Sequence, residues 1–201
     1  PDFDPNTQSN IGQTVLTKAI SRNYDKCVIA LGECFPNIDP NIQDYEGNAA
    51  LMGMLKSQHC SLELLLHFLD AFPNVDVNIQ NTHGETVLTI AIKHDDVSLV
   101  ALLLERFPNI DPNLYECDGA TALLLARKRK NRDMVSLLRE YCPYLNGNAR
   151  DSAGKTALMY AVDSGHGDII LRLKIACPHL DSTLQHNNGQ TAPLRAVFAL
   201  H

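Results

Sequence analysis

The feature of this sequence that leaves the fewest folds open is a period. Glycines Gly12, Gly47, Gly84, Gly119, Gly154 and Gly189 are separated by 35, 37, 35, 35 and 35 residues. Two residues beyond them stand Thr14, Ala49, Thr86, Thr121, Thr156 and Thr191. Four beyond come Leu16, Leu51, Leu88, Leu123, Leu158 and Pro193, and seven beyond come Ala19, Met54, Ala91, Ala126, Ala161 and Ala196. A repeat of this length is one supersecondary unit that cannot bury its apolar face alone, so its neighbours must stack on it. The 201 residues therefore measure how many units are stacked, not how many globular domains are present.

Each repeat can be read from its marks. The glycine supplies a turn with positive φ, and the threonine offers a hydroxyl to the free N–H groups where a helix begins. Leu and Ala three residues apart share one helical face, and the small Ala admits a close neighbour. A turn follows at Asn23, Asp95, Asn131 or Gly165-His166-Gly167. A second apolar stripe then runs through Cys27/Val28/Leu31, Leu99/Val100/Leu103, Met134/Val135/Leu138 and Ile169/Ile170/Leu173, at the spacing of a second helix. Pro36, Pro73, Pro108, Pro143 and Pro178 stop that helix. An Asp/Asn/Gly-rich hairpin, with Asp39-Pro40-Asn41, Asp76-Val77-Asn78 and Asp111-Pro112-Asn113, leads to the next repeat.

The pattern resembles the ankyrin repeat. Gly154-Lys155-Thr156-Ala157-Leu158-Met159-Tyr160-Ala161 with Gly165-His166 is closest to it, and Asp76-Val77-Asn78 matches its hairpin. The resemblance implies an all-α solenoid of helix-turn-helix units with projecting β-hairpin loops. It also implies a single array over 1–201, with repeats at about 9–43, 44–80, 81–115, 116–150 and 151–185 and a partial one at 186–201. Residues 1–6 align with the hairpin at 36–41, and 1–8 read as the end of a preceding repeat. Both ends thus interrupt a repeat and there is no initiator Met, so an excised segment of a longer protein is expected. The second repeat should be locally irregular, because two extra residues fall around Lys56–Ser61 and Ala49 and Met54 replace Thr and Ala. In the sixth, Pro193 removes a core contact, and an apolar face should be poorly covered.

Composition narrows the function. Apolar residues make up 45% and charged ones 20%, which fits a folded chain with a core. No apolar run approaches the ~20 residues of a membrane span. The net charge of −6 argues against general affinity for nucleic acid or anionic lipid. Six cysteines show no CxxC and no disulfide spacing, and no signal peptide precedes them. They read as small core residues of an intracellular, cytoplasmic protein.

The chain carries no GxSxG elbow, HExxH, P-loop or GxGxxG. His166 reads as a structural turn residue. Adjacent His59 and Cys60 lack a third orienting group, and His83, His94, His179 and His186 fall at no metal-ligand spacing. No catalytic residue, cofactor or metal is expected. The basic run Arg127-Lys128-Arg129-Lys130-Asn131-Arg132 has two readings, a solvated helix end favoured by the helix dipole or a docking patch for an acidic partner.

In ankyrin-like arrays a concave groove lies between the hairpin tips and the first-helix ends. The helix-end positions here include Arg22, Lys56, Lys93, His94, Lys128 and Arg129. The tips include Tyr45, Glu46, His83, Glu85 and Asp118, with Tyr115 nearby. One wall is cationic and the other carries acids and tyrosines, so either a protein segment with acidic and apolar side chains binds there, or the two rows neutralise each other. The expected function is a non-catalytic protein-protein interaction module. The alternative is a substrate-recognition or targeting segment of a multidomain enzyme or effector.

Overall fold

The computed structural model describes residues 4–57, 60–165 and 167–198, with side chains through Ala196. The chain forms two compact units, Pro1–Ile90 and Ala91–His201. The first contains α1 (Val15–Ser21), α2 (Asp25–Cys34), α3 (Ala50–Lys56) and α4 (Leu62–Ala71). The division falls within α5 (Val87–Lys93). The second unit holds α6 (Val97–Arg106), α7 (Ala122–Lys128), α8 (Arg132–Tyr141), α9 (Ala157–Asp163), α10 (Gly167–Ala176) and α11 (Ala192–Phe198).

The first helix of each repeat has seven residues and the second ten, all below the ~12–15 at which an isolated helix persists in water. Packing holds them. In the first unit α1 lies on α2 and α3, and α2 on α4. In the second, α7 lies on α8 and α9, α8 on α6 and α10, and α9 on α10 and α11. The short helices are buried almost all round: Ala50, Leu51, Met52, Met54 and Leu55 of α3, and every residue from Ala122 to Arg127 of α7. The longer helices bury one stripe, such as Leu64, Leu65, Phe68 and Leu69 of α4 or Met134, Val135 and Leu138 of α8. Cys27, placed in that stripe by its spacing, is exposed instead.

Threonine caps α1 and α9 as expected, with Thr17 N–H donating to Thr14 Oγ1 (3.3 Å) and Met159 N–H to Thr156 Oγ1 (3.3 Å). Thr121 departs from the rule, since its buried hydroxyl has no partner. The first helix of a regular repeat ends on one left-handed residue, at Asn23, Asp95, Lys130 or Gly165, with φ between 56° and 67°. A β-carbon in that conformation costs about 1–2 kcal/mol, a cost that Lys130 bears and Gly165 avoids. The second repeat is irregular as its sequence predicts: Ala49 makes no side-chain cap, and Ser57 is extended (ψ 130°). His59 and His166 lie outside the described residues.

The hairpins contain no strand among the described residues, only an isolated bridge between Gln185 and Thr191. Their tips are instead turns, closed by bonds such as Asp44 N–H to Asn48 O (3.0 Å) and Gly47 N–H to Asp44 O (2.8 Å). Two side-chain ladders join successive hairpins. Asn41 donates to Asn74 O (2.9 Å) and accepts from Asp76 N–H (2.8 Å), and Asn148 does the same with His179 O (3.0 Å) and Asp181 N–H (2.7 Å). Gln43 Nε2 donates to Gly47 O (2.6 Å) and Gln80 O (2.9 Å), a role Arg150 takes in the second unit with Gly154 O (3.3 Å) and Gln185 O (2.7 Å).

The cysteines divide by environment. Cys142 and Cys177 are buried, and burial pushes the Cys142 thiol up to about 11, with Asp111 adding to the shift. Cys27, Cys34 and Cys117 are exposed rather than core residues. Near the C-terminal end Ala192 is buried against Leu158 and Met159, whereas Leu171, Ile175 and Leu194 are exposed.

Candidate functional site

The helix-end lysines do not project as a bare cationic stripe, because each faces an acid on a hairpin tip. In the first unit Lys56 Nζ lies 2.9 Å from Glu85 Oε2 of the following repeat and donates to Asn48 Oδ1 (2.9 Å). Asn81 Nδ2 ties the same two acceptors together, Glu85 Oε2 at 2.8 Å and Asn48 Oδ1 at 3.1 Å. Beside this cluster Tyr45 is 72% exposed, and its backbone and ring close over Gly12, where a Cβ would come within 2.7 Å of both. Glu46 accepts from Asn48 Nδ2 (3.2 Å), and Arg22 and His83 are exposed.

The second unit carries a longer network. Lys93 Nζ stands 2.9 Å from Glu116 Oε1, an ion contact off the line of a hydrogen bond. Lys128 Nζ lies 3.2 Å from Asp118 Oδ2 and 3.5 Å from the buried Asp151 Oδ2. Tyr160 donates its hydroxyl to Asp151 (2.6 Å), and the ammonium groups of Lys128 and Lys155 lie 5.8 and 5.0 Å from its ring centre. Lys155 pairs with Asp163 (2.9 Å), which Arg195 also grips in a fork, Nε to Oδ1 at 2.7 Å and Nη2 to Oδ2 at 2.6 Å. His94 and Arg129 are exposed, and Tyr115 accepts from Asn146 Nδ2 (3.3 Å). Offsets from the glycines located Lys128 and Asp118. They did not single out Glu116, Asp151, Tyr160 or Arg195, whose roles depend on how successive repeats stack.

The basic run is not one patch. Arg127 is buried at 1% exposure, Lys128 is ion-paired, and Asn131 caps α8 by accepting from Met134 N–H (2.9 Å). Arg132 pairs with Asp168 (3.1 Å), which leaves Arg129 and Lys130 as exposed cations. Burial lowers the pKa of the Arg127 guanidinium and Asp168 opposes the shift, yet an arginine stays protonated in either case.

Burial raises the Asp163 pKa, but the bonds from Arg195 and Lys155 and their charges outweigh it and hold the carboxyl below the usual Asp value. A depressed folded-state pKa stabilises the protein above the unfolded value, about 3.9, and that contribution is lost as pH falls through the folded one. Asp163→Asn is therefore expected to flatten the acid limb of a urea-stability profile below about pH 4. A limb as steep as that of the unaltered chain would show that this carboxylate is not linked to folding.

Among the described residues no three His, Cys, Asp or Glu side chains are grouped to hold a metal ion. No described helix is long and apolar enough to cross a membrane.

Comparison with solved structures finds the same architecture. EF0377, an ankyrin repeat protein, superimposes with a TM-score of 0.74 at 23% identity, over 95% of this chain and 93% of its own. The ankyrin repeat domain of Bcl-3, a member of the IkappaB protein family, gives 0.71 at 25% identity over 98% and 86%. A chain from the complex of the Bd0816 predatory endopeptidase of Bdellovibrio bacteriovorus with immunity protein Bd3460 gives 0.68 at 23%, over 96% and 94%. No curated protein matches the sequence. A sequence profile described as ankyrin repeats (3 copies) matches residues 54–144 and 107–183. Ankyrin repeats are generally protein-protein interaction modules. On its period, its paired helices and this profile match, the chain belongs to the ankyrin-repeat family.

Proposed function

We propose that this chain is a non-catalytic binding module that holds a segment of a protein partner against the hairpin tips and first-helix ends. The observation that carries this reading is the network of the second unit. Lys128, Asp151, Tyr160, Lys155, Asp163 and Arg195 hold one another in fixed geometry, and Tyr160 remains half-exposed among them. A tyrosine and an arginine that are ordered before the partner arrives lose little freedom on binding, which is the usual make-up of an interface hot spot. Arg129 adds positive charge at the helix end next to Lys128, so the partner segment carries acidic and apolar side chains. In the first unit Arg22, Tyr45, Glu46, Lys56, His83 and Glu85 offer a smaller surface of the same kind.

The ion pairs determine which variant tests this. Reversing Lys93 or Lys128 would set like charges beside Glu116, or beside Asp118 and Asp151, and so disturb folding as well as binding. Arg129 makes no ion pair among the described residues, which makes Arg129→Glu the cleaner change. Peptides selected from a displayed library on the 201-residue chain are expected to be rich in Glu, Asp and apolar residues. Arg129→Glu is expected to weaken them at least about tenfold, a loss of about 1.4 kcal/mol, with the melting temperature unchanged. Selected peptides without acidic residues, or ones held equally well by the variant, would overturn the assignment.

A further inference from the structure

Position eight past each glycine is aliphatic in five repeats, holding Ile20, Leu55, Ile92, Val162 and Val197, and is an arginine only in the fourth, Arg127. That arginine is 1% exposed and sits where α7 meets α9. Its Nη2 donates to Tyr160 O (3.2 Å) and weakly to Ser164 Oγ (3.4 Å), while Nε and Nη1 are buried with no acceptor. Tyr160 O does not depend on it, because Ser164 already supplies a backbone N–H (3.2 Å) and a hydroxyl (2.7 Å). Asp168, whose charge acts on the guanidinium, is engaged by Arg132.

A charged group with two unsatisfied donors is costly to bury, and the cost vanishes once water reaches it. No other described contact between first helices carries such a group, so opening at α7–α9 relieves a penalty that opening elsewhere does not. We infer that the α7–α9 contact is a built-in seam, at which α9, α10 and α11 detach together from α6–α8 while the rest of the second unit stays folded. Repeat arrays allow this, since each repeat touches only its neighbours and opens in cooperative blocks. The inference rests on Arg127 and its surroundings rather than on the proposed binding site, although opening the seam would part Lys128 from Asp151 and Tyr160.

Native-state hydrogen exchange of the intact chain, followed by mass spectrometry, tests it. Peptides covering α9 and α10 are expected to exchange at least about tenfold faster than those covering α7 and α8, and to do so as one block. Arg127→Leu, and Arg127→Met as a second variant that keeps the side-chain length, should slow exchange in α9 and α10 at least about tenfold and leave α1 and α2 unchanged. Two results would overturn the seam: α9 and α10 protected as well as α7 and α8 in the unaltered chain, or a graded difference that both variants leave in place. The second would be simple fraying toward the C-terminus.

Discussion

Arg127→Leu is expected to stabilise the folded chain by about 1–4 kcal/mol, the range found when buried ionic groups give way to well-packed apolar ones. The sign follows from what is lost and what is gained. The variant gives up one hydrogen bond to a carbonyl that has two other donors, and a weak one to Ser164 Oγ. It removes two buried donors with no acceptor and restores the aliphatic residue that the neighbouring repeats carry at this position. Urea unfolding followed by far-UV circular dichroism would show the transition midpoint rising. A fall of 1 kcal/mol or so would mean that the guanidinium contributes more through Tyr160, Ser164 and Asp168 than its desolvation costs.

The largest loss is expected from Phe68→Ala. Phe68 is 1% exposed on α4, its ring 4.8 Å from that of Phe72, and Phe72 in turn packs toward Gly32 of α2. Gly32 cannot move in to fill the gap, because α2 and α4 already approach so closely that a Cβ there would lie 2.6 Å from that of Ala71. Truncation therefore leaves a cavity that the backbone cannot close, and the cost is about 3–5 kcal/mol. The same urea titration measures it. A loss under about 1 kcal/mol would show that the α2–α4 layer repacks freely.

The architecture was legible because its signals recur. One G-x-T-x-L match carries little weight, but the period fixed the helix pairs, the position of the turns and even the irregular second repeat, where Ser57 leaves the helix in an extended conformation. What the sequence could not show is anything set by the meeting of two repeats. Lys56, Lys93 and Lys128 could be counted along the chain, but their pairing with Glu85, Glu116 and Asp151 exists only after stacking. Arg127 was indistinguishable from its basic neighbours, although its offset of eight from Gly119 falls on an aliphatic position in the other repeats. Periodicity carried the signal there, while local charge composition obscured it. How the hairpins are joined was hidden for a similar reason, since among the described residues turn bonds and side-chain amides, not strands, satisfy their backbone groups.

Those amide ladders bear on how such an array can change over time. Asn41, Asn113 and Asn148 hold the next hairpin wholly through its main-chain N–H and C=O groups, and Gln43 through the main-chain carbonyl of Gln80. A bond to main chain is indifferent to which side chain the neighbour carries. Repeats joined in this way can be duplicated, lost or reordered without rebuilding the joint, and surface residues can diverge while the fit between neighbours is inherited intact. Replacing one of these asparagines by aspartate would be harder to tolerate, since it sets a carboxylate oxygen against a carbonyl. The asparagine is thus the part of each joint least free to drift, whereas the Gln43 position has already passed to Arg150.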